Sequence, residues 1–138
     1  MLRSYGSLLY IGRSAIHSTV FTGDGLRVMA GSDDGVVRSW DLATSKHLFS
    51  LRGATDYVRA QAASPASKHI WATGSYDRRA RIYDLRTRKI LFTLEHGSQI
   101  DDLVLCPGGA QAITIGGTDI KVWDFFAGGK LVANLHSH

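Results

Sequence analysis

Six basic residues fall between positions 78 and 89: Arg78, Arg79, Arg81, Arg86, Arg88 and Lys89. A cluster of that density could neutralise phosphates, each contact adding salt-sensitive affinity for a nucleic acid. The net charge of +4 leans the same way, toward acidic partners such as RNA. Other residue types offer less chemistry. His136 and His138 alternate along an extended segment, so they point to opposite sides, and no Cys or carboxylate cluster joins them at ligand spacing. Cys106 has no histidine placed by the sequence to activate it and reads as a buried or half-buried turn thiol. Neither Gly108-Gly109 nor Gly128-Gly129 precedes a helix with a Gly-Lys-Ser/Thr ending, so neither is a phosphate loop. No catalytic, cofactor-binding or metal-binding constellation is expected, and the chain reads as non-enzymatic.

Composition narrows the class further. With 44% hydrophobic and 20% charged residues the chain is an ordinary globular sequence. No apolar run approaches the roughly 18 residues that span a bilayer, so no membrane association is expected. The N-terminal MLRSYGSLLYIGR lacks a convincing small-residue cleavage site, and no secretory signal is read there. The single cysteine cannot close an internal disulfide, which favours a reducing compartment.

The elements that must carry these residues are written as a repeat. GSDDGVVRSWDL (31–42) returns as GSYDRRARIYDL (74–85) and, more weakly, as GGTDIKVWDF (116–125). The aromatic–Asp pairs Trp40-Asp41, Tyr83-Asp84 and Trp123-Asp124 stand 43 and then 40 residues apart. Around each pair the pattern predicts four short strands. A first strand (16–21, 57–63, 100–105) leads through a turn to a second (26–30, 69–73, 110–115). The aromatic ends the third, and HLFSL, ILFTL or LVANL forms the fourth. Nothing sustains a 3.6-residue period, so the class is all-β. Two positions before each aromatic sits a basic residue: Arg38, Arg81 or Lys121. A strand packed on both faces would bury each stem and send its charged head to water.

A period of 40–45 residues with this pattern resembles the WD-repeat β-propeller, one blade per repeat. The resemblance implies that Asp34 and Asp77, in the turn before the third strand, brace their blades by accepting backbone N–H bonds, often with a loop histidine. The third turn is two residues shorter, so Asp119 does not match that position. Trp40, Asp41, Tyr83, Asp84, Trp123 and Asp124 complete the structural set. The expected organisation is a remnant of a preceding blade over 1–13 and blades over 14–54, 55–97 and 98–138. Closed propellers use four to eight blades, so this is read as an incomplete propeller that needs further blades or a partner chain.

Three stretches are less generic: GATDYVRA (53–60), GSYDRRARIYDLRTRKILFTLEHG (74–97) and GGTDIKVWDFFAGGKLVANL (116–135). In this order and spacing, with the inverted His96-Gly97 pair, they resemble the U-three small-nucleolar-RNA-associated protein fifteen family. That resemblance implies a non-catalytic, nucleolar scaffold of the small-subunit processome. Its partners would be other propeller subunits and pre-ribosomal RNA, and its roles pre-18S processing and support of ribosomal DNA transcription. The sequence departs from the family pattern at Ala54, where a loop histidine is usual, at Tyr83, where Trp is usual, and at Gln99, where proline is usual.

Possible partner or RNA contacts are Arg78, Arg79, Arg86, Arg88 and Lys89. Arg78 and Arg79 lie in the turn before the third strand, whereas Arg86, Arg88 and Lys89 lie in the turn after it. Those turns emerge on opposite faces of a propeller, so protein contact or a solvated surface is favoured over one continuous RNA groove. Tyr83-Asp84-Leu85-Arg86 also resembles, without its Trp, the ending used by WD-repeat substrate receptors of cullin ubiquitin ligases. This is the alternative reading.

Overall fold

The computed structural model of the chain describes residues 14–136; the expected remnant over 1–13 and His138 lie outside them. Twelve strands and no helix occur among the described residues. β1 (Ile16–Phe21), β2 (Arg27–Ser32), β3 (Val37–Asp41) and β4 (His47–Leu51) form one antiparallel sheet in chain order. β5 (Val58–Ala63), β6 (Ile70–Ser75), β7 (Arg79–Asp84) and β8 (Lys89–Glu95) form a second. β9 (Asp102–Leu105), β10 (Gln111–Gly116), β11 (Asp119–Asp124) and β12 (Lys130–His136) form a third. Each is a four-stranded blade, and the three form a propeller arc.

The blades pack through their first strands, β1 beside β5 and β5 beside β9. Side chains alternate across a strand, so the middle blade feeds two cores at once. Trp71, Tyr83 and Leu85 join Met29, Val37, Phe49, Leu51 and Val58 against the first blade. Ala72, Ala80, Ile82 and Leu94 face the other way, toward Ile100, Leu103, Ala112 and Trp123. Each fully buried side chain of Leu or Ile size contributes about 1.5–3 kcal/mol to holding the blades together.

Two glycines set how closely the blades approach. A Cβ on Gly31 would stand 2.8 Å from Val58 Cγ1, and one on Gly74 would stand 2.6 Å from Ile100 Cγ2. Gly31 and Gly74 are therefore the seats into which the next blade's first strand fits. A second repeated device is a register shift between the third and fourth strands. It falls immediately before Trp40, Tyr83 and Trp123 in turn. Such a bulge re-aims a side chain, here the aromatic of each repeat.

The basic residues two before each aromatic depart from expectation. The side chains of Arg38, Arg81 and Lys121 are only 15%, 6% and 15% exposed. Their heads are largely withdrawn from water. The turn folds back so that Asp34 lies 2.8 Å from Arg38 Nη2 and Asp77 lies 2.8 Å from Arg81 Nη1. Lys121 Nζ donates to the His96 carbonyl at 2.5 Å. A partner inside the blade replaces solvation, because an unpaired buried cation would cost several kcal/mol.

Candidate interaction surface

The Asp of each aromatic–Asp pair shapes the turn that follows it. Asp41 accepts from the Thr44 amide at 2.9 Å, Asp84 from the Arg86 amide at 2.8 Å and Asp124 from the Phe126 amide at 2.9 Å. These short-range bonds are the usual way Asp pre-forms a turn. The side-chain hydrogen bond from Thr44 and its amide hold the Asp41 carboxyl below the usual carboxylate range. Arg86 does the same for Asp84 through its side chain and its amide.

Asp34 and Asp77 work at the opposite end of the third strand. Asp34 accepts from Ser32 Oγ and the Val36 amide, the latter at 3.0 Å, and pairs with Arg38. Partial burial opposes its ionisation, yet Arg38, Ser32 and Val36 together hold the carboxyl well below the usual range. Asp77 accepts from the Arg79 and Thr55 amides, each at 3.0 Å. The Thr55 bond ties the turn to the loop that carries Ala54. Beside it Tyr83 Oη donates to the Arg52 carbonyl at 3.0 Å, and burial pushes the phenol above its ordinary pKa.

The third blade keeps a longer relay. Trp123 Nε1 donates to Thr114 Oγ1 at 2.9 Å, and Thr114 Oγ1 lies 2.7 Å from His96 Nδ1. His96 Nε2 lies 2.9 Å from the Gly116 carbonyl. A carbonyl only accepts, so Nε2 carries the hydrogen and Nδ1 accepts from the hydroxyl. Thr114 escaped the sequence reading because a threonine in a β-strand is unremarkable by itself. Gln61 escaped it as well, although one amide in an otherwise small-residue strand was a usable signal.

The exposed basic residues divide as their turns do. Arg78 and Arg79 stand at the start of β7, and Arg86, Arg88 and Lys89 lie beyond its end. A six-residue strand separates the groups by roughly 20 Å. Arg79 Nε pairs with Glu95 at 2.5 Å. The Arg86 side chain is 64% exposed but folds back on Asp84 at 3.1 Å. The Arg88 guanidinium lies 4.7 Å from the Phe49 ring centre, reaching across to the first blade. Arg81, buried on Asp77, offers no contact surface. Cys106 is half-buried, and among the described residues no group of three or more His, Cys, Asp or Glu could hold a metal ion. Among them no helix is long and apolar enough to cross a membrane.

A family model described as "WD domain, G-beta repeat" matches residues 6–41 and 45–84, more than half of the chain. The chain belongs to the WD-repeat family. Within that family it is similar to U3 small nucleolar RNA-associated protein 15 homolog of Xenopus tropicalis, at 37% identity over 90% of the chain and 24% of the relative. It is also 38% identical to U3 small nucleolar RNA-associated protein 15 of Saccharomyces cerevisiae, over 83% of the chain and 23% of the relative. The WD-repeat chain thus spans about a quarter of the length of these curated relatives. Among solved structures it superimposes on "Structure of U3-55K" with a TM-score of 0.82 over 91% of the chain and 40% of that chain. At 20% identity, that likeness shows a shared WD-repeat blade architecture.

Proposed function

We propose that this chain is part of a non-catalytic scaffold of ribosome biogenesis, a nucleolar subunit of the small-subunit processome that acts in pre-18S rRNA processing and supports ribosomal DNA transcription. The observation that carries the reading is the similarity to proteins named for association with the U3 small nucleolar RNA, found in both an animal and a fungus over most of the chain. The blade chemistry agrees with a scaffold. Aspartates and histidine are spent on bracing turns, and the exposed basic residues sit at both ends of a blade, where neighbours can be held. The proposed partners are other propeller subunits and the pre-ribosomal ribonucleoprotein. The blade divisions at 14–54, 55–97 and 98–138 are proposed as the working units.

The test is affinity purification of the tagged protein at moderate salt, with bound RNA sequenced and partners identified by mass. Enrichment of the small-subunit rRNA precursor with other propeller proteins is the expected result. Recovery of a cullin adaptor without precursor rRNA would overturn it.

A further inference from the structure

One end of the first two blades gathers basic residues from both. Between the β1–β2 turn, the residues entering β6 and the turn after β7 lies a cleft of about 210 Å³. Asp24, Arg27, Lys68, His69, Leu85 and Arg86 line it. Arg27 comes from the first blade, and Lys68, His69 and Arg86 come from the second. No single strand could assemble this group; the packing of one blade on the next does.

The carboxylates at this end keep their charge, but their lone pairs are taken up by neighbours. Asp24 accepts from Thr22 Oγ1 at 2.6 Å and from the Leu26 amide at 3.0 Å. Asp41 is taken by Thr44, and Asp84 by Arg86. Arg27 and Lys68 make no ion pair or side-chain hydrogen bond among the described residues. Arg27 feels the charges of Asp24 and Asp41 only at longer range. Two cations and a histidine therefore line one hollow with their side-chain donors unpaired.

We infer that this interblade cleft binds a phosphate of an RNA backbone, with Arg27 and Lys68 as its charge contacts and His69 as a further donor. The inference rests on the RNA-association reading above and assigns a place to it. A hollow of this size admits one phosphate with its sugar and excludes a stacked duplex. Cations brought from two walls suit a tetrahedral anion better than a planar side-chain carboxylate, which a single arginine fork satisfies. The Arg78 and Arg79 group, at the far end of β7, lies outside the site.

The experiment is fluorescence anisotropy of the purified protein with a labelled single-stranded oligouridylate across a salt series. The comparison set is Lys68→Gln, Arg27→Gln, the pair combined, Arg27→Lys and Arg79→Gln. Loss of the single phosphate contact is expected to lower the slope of log affinity against log salt by about 0.7 in the combined variant, and by part of that in each single variant. Arg27→Lys is expected to keep the slope, and Arg79→Gln to leave it unchanged. Lys68 is exposed, so its variant reports on binding even where Arg27→Gln unfolds. An unchanged slope in Lys68→Gln overturns the cleft. So does an equal loss in Arg79→Gln, or displacement of the RNA by oligoglutamate at the same concentration as by RNA. RNA binding with an unchanged slope and affinity in the combined variant would sink the cleft and leave the processome reading standing. Absence of precursor rRNA from the purified complex would sink that reading instead.

Discussion

The Trp71 indole donates to Gln61 Oε1 at 3.0 Å, and the amide nitrogen of the same Gln61 reaches the Met29 carbonyl of the neighbouring blade at 3.2 Å. An indole N–H can only donate, which fixes the orientation of the glutamine amide. The nitrogen also lies 3.0 Å from Ser18 Oγ, whose hydroxyl donates to the Val58 carbonyl at 3.1 Å. Gln61 thus anchors Trp71 within its own blade and stitches that blade to the first through Met29 and Ser18, beside the Ser18–Val58 bond.

Gln61→Leu keeps the volume but strands the Trp71 N–H and the Met29 carbonyl. A buried group left unpaired costs about 1–3 kcal/mol, so a loss of that order is expected. Urea denaturation checks it, and an unchanged midpoint would show that the interblade contact is carried by packing alone.

Thr114→Val removes the hydroxyl between Trp123 Nε1 and His96 Nδ1 without changing shape much. Both nitrogens are then left without their partner in the third blade, and stability falls by about 2 kcal/mol. Hydrogen exchange at β10 and β11 would report the weakening locally.

Trp40 Nε1 is buried without a hydrogen-bond partner. By register, Ala30 opposite Arg38 stands where Thr73 and Thr114 stand opposite Arg81 and Lys121. Ala30→Ser places a hydroxyl within that position and is expected to raise stability by about 1 kcal/mol. A lowered melting temperature would mean that the site has no room for the oxygen.

Arg78 adopts φ 76°, whereas the matching turn of the first blade uses Gly35 at φ 80°. A non-glycine residue in the left-handed region carries about 1 kcal/mol of strain, so Arg78→Gly is expected to raise the melting temperature. Gly35→Ala is expected to lower it by more, since the new Cβ would meet the Ala54 carbonyl oxygen as well.

The folded Asp34 carboxyl titrates well below its usual range. The unfolded chain binds that proton near pH 3.9, so the folded state holds fewer protons as pH falls through this region. The stability Asp34 contributes is therefore fully present above about pH 4 and is lost progressively below it. Melting curves of the parent chain and Asp34→Asn should differ by a constant amount from neutral pH to about pH 5 and converge in more acidic buffer. A gap that does not narrow at all between about pH 5 and pH 2.5 would rule out this linkage.

What the sequence determined by itself was everything that neighbours along the chain decide. The β1 bounds of 16–21, the four-strand repeat and the aromatic–Asp pairs were all legible. Each depends on alternation or on hydrogen bonds spanning a few residues. The separation of Arg78 and Arg79 from Arg86 and Arg88 followed from strand order for the same reason. The tertiary structure decided the fates of side chains whose partners lie far along the chain. Gln61 finds Met29 across 32 positions, and Thr114 finds His96 across 18. The cleft lined by Arg27 and Lys68 exists only because the second blade packs on the first. Arg81 was misread because burial of a charged head depends on whether the turn beside it delivers a carboxylate. That delivery is a matter of backbone geometry, which residue type leaves open.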